Sequence, residues 1–296
     1  MLYDICDYMV RSLIRIVLGV NSCTFLIFDL DAFLPSFGIH FEKVKKQLIC
    51  TIANCLLDST SFFTAIISIW LIKFLTVLHE VLHMLKALLL ADLHGEYGKM
   101  ESFMDLNPDV VFIAGDITNM GTAKDLEACI ARIEVPIFAV AGNCDTEEVV
   151  SALDKSKCVN LHGSHINLGE FSLVGVGGSN PTPFETPNEF TDKQLDDLLK
   201  KGIERMEKAK HTILISHAPP QGILDEINGN KVGSQSVAKY MNLFDLICCA
   251  HIHENRGIEE VGGTKIVNPG PGAVGNCALI TFGDVAREIQ IELLTM

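Results

Sequence analysis

No CxxC pair and no short-spaced cysteine framework occurs in the 296 residues; the 10 cysteines are scattered. That argues against a stapled secreted domain and for reduced thiols in a cytoplasm. A broad positive field is missing too: Lys and Arg number 23 against 37 Asp and Glu, a formal net charge of -14. Such a chain has little to hold a nucleic-acid backbone, although a local metal centre would still attract a single phosphate. There is no internal repeat and no low-complexity tract. The N-terminus does not read as a secretory leader, since Asp4 and Asp7 precede the first arginine and no small-residue cleavage site follows. The length suffices for one large or two ordinary domains with a sizeable core.

Residues 1–83 differ in kind from the rest. They carry seven acidic against six basic side chains, so the acidity lies almost wholly beyond Met84. Their apolar stretches, Ile14 to Phe28 and Phe62 to Leu82, are neither clean membrane helices nor clean amphipathic ones; the second contains Lys73, His79 and Glu80. Three readings compete: a membrane-associating extension, an added helical element, or upstream sequence ahead of a true start at Met84. The composition change favours the last, with a domain spanning 84–296. His79-Glu80-Val81-Leu82-His83 matches the zinc-protease pattern HExxH, but it falls at the end of an apolar run and has no third ligand to hand, so it reads as coincidence.

What the chain does have is a recurring event. Leu85 to Ala91 is a run, apolar apart from Lys86, that stops on Asp92-Leu93-His94. DVVFIA runs into Gly115-Asp116, PIFAVA into Gly142-Asn143-Cys144-Asp145, HTILIS into His217, and FDLICCA into His251-Ile252-His253. Apolar runs of this length read as buried strands. Open α/β sheets place their ligands at strand C-terminal ends, and all five runs deliver Asp, Asn or His there. In an extended chain, residues i and i+2 point the same way, which would turn Asp92 and His94 toward one ligand. Oxygen and imidazole donors without thiolate suit manganese, iron, zinc or nickel. Seven of them exceed one tetrahedral ion but suit two divalent ions sharing a carboxylate.

Between these runs the pattern alternates. Helical stretches are expected around Tyr97–Leu106, Thr122–Ile133 and Thr146–Leu153, which with the first three strands makes a βαβαβ run of parallel strands. A β-rich middle (His165–Leu168, Phe171–Val176) ends in the Gly- and Pro-rich loop GGSNPTPF. A charged amphipathic helix follows over Thr191–Ala209, with Thr191 as cap and Gln194 three residues on. A loop through Asn228-Gly229-Asn230 and a helix over Ser234–Met241 lead to the fifth strand. Two β-hairpins close the chain: 257–261 with 265–267, and 278–282 with 288–294.

Taken in order, Asp92-x-His94, Gly115-Asp116, Gly142-Asn143, His217 and His251-x-His253 resemble the calcineurin-like metallophosphoesterases over essentially all of 84–296. GGSNPTPF, SHAPP and VNPGP resemble its small prokaryotic predicted-phosphoesterase subgroup. The resemblance implies an α/β fold, a two-sheet sandwich flanked by helices in four αββα layers. It implies that Asp92, His94, Asp116 and His253 hold one metal, that Asp116 bridges, and that Asn143, His217 and His251 complete the second. Asp145 would orient its neighbours. The implied activity is hydrolysis of a small phosphomonoester or phosphodiester by a metal-bound hydroxide, with a non-catalytic scaffold on the same fold as the opposing reading.

Cys144 stands where many members carry a histidine that protonates the leaving group. Neighbouring dications would lower its pKa, leaving a thiolate unable to do so and favouring substrates with good leaving groups. Asn180 and Thr182 are candidates for a substrate-side rim, and Arg256 for either a phosphate clamp or a surface charge. His162, His165 and His211 read as structural or solvent-facing.

Overall fold

Leu85–Leu90 forms a strand, β1, because the apolar run from Ala87 onward has no face to leave in water and must be covered on both sides, while Lys86 at its start stays exposed. The alternation of its side chains divides the cover: Ala87 and Leu89 face one apolar cluster, Leu88 and Leu90 another. The computed structural model describes residues 84–296; the expectations for residues 1–83, including their apolar stretches, the HExxH match and membrane association, lie outside the described residues.

Parallel β2 (Val110–Ala114) and β3 (Ile137–Val140) extend from β1, joined through helices α1 (Met100–Met104) and α2 (Ala123–Ile130). Helix α3 (Glu147–Lys155) then leads to the short β4 (Val159–Asn160), a parallel edge pairing too brief to mark the sequence. The C-terminal hairpin, β13 (Asn276–Phe282) with β14 (Ile289–Thr295), returns to pair antiparallel with β1. The first sheet therefore has the order β14-β13-β1-β2-β3-β4.

The second sheet begins with the antiparallel pair β5 (Ser164–Leu168) and β6 (Phe171–Val176). Helix α4 (Asp192–Ile203) precedes β7 (His211–Ser216), which lies parallel to β6. Helix α5 (Gln235–Tyr240) precedes β10 (Leu246–Cys248), parallel to β7. The hairpin β11 (Gly257–Val261) and β12 (Thr264–Asn268) completes the order β11-β12-β10-β7-β6-β5. Beside it, β8 (Glu226–Ile227) and β9 (Asn230–Lys231) form a small hairpin, where a plain loop was expected. Asn228 and Gly229 both have positive φ, which is the requirement of a two-residue type I′ turn.

Three apolar clusters correspond to the layer contacts of an αββα sandwich. Ala87, Leu89, Phe112 and Val140 meet Leu173, Ile213, Ile215 and Cys248 between the sheets. Met100, Phe103, Leu126 and Leu153 cover the outer face of the first sheet, and Leu195, Leu199 and Val237 that of the second. Among the described residues, no helix is long and apolar enough to cross a membrane.

Two helices differ from their expected lengths. Helix α4 has the expected cap, Thr191 accepting from Gln194 N while the Gln194 side chain answers the Thr191 backbone. It stops at Ile203 instead of reaching Ala209 because Asn167 and Ser172 take the next backbone groups: Asn167 binds Arg205 O and Glu207 N, and Ser172 donates to Glu207 O. Helix α1 is shortened as well. Its expected first residue, Tyr97, sits outside it and donates through its hydroxyl to Ile117 O.

Candidate metal centre

The five polar strand ends converge. Asp92, His94 and His253 bring one donor atom each within 4.8 Å of one another; so do Asp92, Asp116 and His217, and so do His94, Asp116 and Cys144. His94 Nε2 is 3.3 Å from His253 Nε2 and 3.7 Å from Asp116 Oδ2. Asp116 Oδ1 is 3.6 Å from His217 Nε2, and Asp92 Oδ1 is 3.6 Å from His253 Nε2. The two oxygens of Asp116 thus face different imidazoles. His251 stays outside the three groups, its ring 5.1 Å from that of His217, and its backbone N donates to Asp92 Oδ2.

The convergence does not come from strand alternation. Asp92, His94, Asp116 and His251 all have left-handed backbone, with φ of 49°, 46°, 48° and 72°. Such conformations cost of order 1–3 kcal/mol each and gather at functional sites. Asp92 and His94 do face one centre, but through consecutive tight bends held by Asp92 N to Gly115 O and His94 N to Asp116 O. Two glycines leave room for this. A Cβ at Gly142 would stand 2.0 Å from Asp116 Oδ1, and one at Gly115 would stand 2.5 Å from His217 Nδ1.

Asp145 lies beneath the donors and joins their loops. Its carboxylate accepts from Ile117 N, Thr118 N, Thr118 Oγ1 and Gly142 N. Burial and the neighbouring Asp116 push its pKa up, while the Gly142 and Thr118 donors pull against them. Fully buried, it positions the turns after β2 and β3 and does not reach the centre itself.

Thr186 and Glu189, which nothing in the sequence singled out, orient Asn143. The Thr186 hydroxyl donates to Glu189 Oε1 at 2.5 Å and so accepts from Asn143 Nδ2 at 2.9 Å. That fixes the amide with Oδ1 toward His217 Nε2, 2.8 Å away. The only hint was the Thr-x-x-Glu spacing within a loop. Asn180 and Thr182, which read evenly as a tight loop exit or a substrate-side rim, both bond to protein: Asn180 Nδ2 donates to Val232 O and Thr182 Oγ1 to Glu189, while Asn180 Oδ1 is buried without a partner among the described residues.

Arg256 is no phosphate clamp. Its guanidinium donates to the carbonyls of Pro269 and Leu294. His162 accepts from Gly177 N, and His211 is fully buried between Phe171 and Phe282, so both are structural.

The donors fit divalent cations. Asp92 Oδ1 is buried and, among the described residues, has no hydrogen-bond donor, the nearest imidazole nitrogen being His253 Nε2 at 3.6 Å. His217 Nδ1 lies 2.8 Å from Ala114 O and can meet it only by donating, which leaves Nε2 facing Asn143 Oδ1 and, at 3.6 Å, Asp116 Oδ1. Burial and His217 lower the His251 pKa to about 4, so its ring is neutral at pH 7 and one ring nitrogen keeps a free lone pair. Burial raises the Asp92 carboxyl, but His253, His217 and His94 outweigh it and hold the pKa below the ordinary value. Cys144 goes the other way: burial, then Asp116, push its thiol far up. The expected lowering by dications concerns the loaded centre; the chain alone keeps this proton on.

A family model described as calcineurin-like phosphoesterase matches residues 85–255. The uncharacterized protein MJ1162 of Methanocaldococcus jannaschii is 35% identical over 193 residues, covering 62% of this chain and 86% of that protein. Among solved structures, TT1561 of Thermus thermophilus superposes with a TM-score of 0.56 at 19% identity, over 71% of this chain and 98% of that one. GAP50, the anchor in the inner membrane complex of Plasmodium, gives a TM-score of 0.50 at 14% identity, over 72% and 84%. At such identities the structural likeness extends to the fold alone. The family match runs from β1 through His251 and His253, taking in every strand end that contributes a donor, and the chain belongs to the calcineurin-like phosphoesterase family.

Proposed function

We propose that the chain is a phosphoesterase with a dinuclear divalent-metal centre, acting on a small phosphomonoester or phosphodiester. The observation that carries this reading is the overlap of the three donor groups, which share Asp92, His94 and Asp116. Asp92, His94, Asp116 and His253 would hold one cation; Asp116, Asn143, His217 and His251 the other. When bound, the pair supplies Lewis-acid polarisation of the phosphoryl group and a water of lowered pKa.

The chain's own residues prepare that chemistry. Asp116 presents an oxygen to each side, and Glu189 through Thr186 keeps the Asn143 oxygen turned inward. Cys144 places no imidazolium beside the leaving group, so the reading extends to substrates whose departing oxygen needs little protonation, such as aryl esters. A member with Gly-Asn-Cys-Asp in this loop would belong to the small prokaryotic subgroup.

A scaffold on the same fold remains the competing class, and Asp92 Oδ1, buried without a hydrogen-bond donor among the described residues, speaks against it, because a scaffold gains nothing from that cost. Metal analysis of the purified chain together with turnover of a chromogenic aryl phosphodiester separates the two. Two equivalents of metal with turnover support the enzyme; no metal and no turnover refute it.

A further inference from the structure

Cys144 does more in the geometry than replace a histidine. Its Sγ shares a 4.8 Å sphere with donor atoms of His94 and Asp116, a span that donors on one ion occupy when each bond is about 2.0–2.3 Å. The backbone aims it there: Cys144 N donates to Asp116 Oδ1 at 2.7 Å, and Met120 N holds Cys144 O at 3.0 Å. Among the described residues the sulfur's one donor is Asn143 Nδ2 at 3.5 Å, an amide already directed to Thr186, and the thiol itself faces the Asp116 carboxylate. The other described cysteines, 129, 158, 248, 249 and 277, are buried and belong to none of the three groups. A second feature points to a cation independently of the thiol: Asp92 Oδ1, fully buried and without a hydrogen-bond donor among the described residues, belongs to a donor group that shares His94 with this one.

We infer that Cys144 is a sulfur donor to the cation held by His94 and Asp116, and that the centre therefore selects borderline-soft ions such as zinc or iron over manganese. Resting on the dinuclear reading above, this names the metal class that reading leaves open. On binding, the S–H bond breaks, an S–metal bond forms and the proton leaves to solvent. Soft thiolate in an otherwise oxygen and imidazole set shifts preference toward ions that form strong bonds to sulfur.

The test is cobalt(II) loading of the full-length chain, with Cys144→Ser and Cys144→Ala beside it. Near-ultraviolet absorption reads sulfur-to-cobalt charge transfer, and metal analysis reads stoichiometry. The wild-type chain should bind two equivalents and show the band, and both variants should lack it. Competition should show the zinc-over-manganese preference falling about tenfold or more in Cys144→Ser, since even outer-shell changes cost about 10–100-fold. Two equivalents bound without the band, a band that persists in both variants, or an unchanged preference would overturn the inference and leave the dinuclear reading standing. A wild-type chain that binds no cobalt would sink both.

Discussion

Thr186 Oγ1 accepts from Asn143 Nδ2 at 2.9 Å, although the two residues stand 43 apart in sequence. The bond decides which end of the Asn143 amide faces His217. Thr186→Val removes the acceptor while keeping the shape, so the amide is free to turn over. We expect affinity for one of the two cations to fall about 10–100-fold with the fold unchanged. Thr186→Ser should restore it. Isothermal titration of the apo chain with zinc reads both, and an unaltered second binding event in Thr186→Val would remove Thr186 from the site.

Asp116→Asn keeps the acceptor for Cys144 N but loses the charge facing both His94 and His217. Both cations should bind more weakly, and turnover should fall by orders of magnitude in a chain with wild-type circular dichroism. Asn143→Ala, in contrast, should chiefly deplete one site. A purified Asp116→Asn chain with two metals and full activity contradicts the bridging role.

Asp145→Ala strands Ile117 N, Thr118 N and Gly142 N in a buried setting. Each unsatisfied buried group costs about 1–3 kcal/mol, so a loss of about 3–5 kcal/mol after relaxation is expected. Urea unfolding of the metal-free chain is the measurement. A change below about 1 kcal/mol would mean that water replaces the carboxylate.

Glu189 supplies the pH dependence. Partial burial works to raise its pKa, but the Thr182 and Thr186 hydroxyls and backbone hold it down to about 2, from 4.5 in an unstructured chain. A carboxyl depressed in this way adds stability that is fully present above pH 4.5 and is lost as pH falls through about 2. The stability difference between wild type and Glu189→Gln should therefore be flat from neutrality to about pH 5 and shrink below it. A difference that stays constant down to pH 2 would show that the carboxylate charge is not what the loop uses.

A chain beginning at Met84 should fold and bind cations as the full chain does. Both six-stranded sheets and all three apolar clusters are complete within the described residues. Aggregation of that shorter chain, or loss of metal, would show that residues 1–83 pack against the domain.

The strands and their polar endings were legible because burial on both faces demands long apolar runs, and a donor just past such a run stands out. The direction of Asp92 and His94 was not, because left-handed turns, not pleating, aim them. Thr186 and Glu189 escaped notice because their role depends on a loop folding back over Asn143, where no periodicity reports it. Arg256 looked available because a sequence shows a guanidinium's charge but not the carbonyls of Pro269 and Leu294 that receive it. The end of α4 was misplaced for the same reason: Asn167, far upstream, receives Glu207 N, and helical propensity has no account of such a partner.

The placement of β13 has a consequence for biosynthesis. By His253 a growing chain already carries every proposed donor, yet β1 still lacks one neighbour, because Leu85 pairs with Phe282 and Leu89 with Ala278. Gly272 N and Ala273 N also hold the carbonyls of Ala91 and Asp92, at the bend that aims the first carboxylate. Residues well past His253, none of them a proposed donor, must therefore be in place before the cluster acquires its shape. Removing β13 should weaken the proposed metal capture while leaving every one of the proposed ligands in the product.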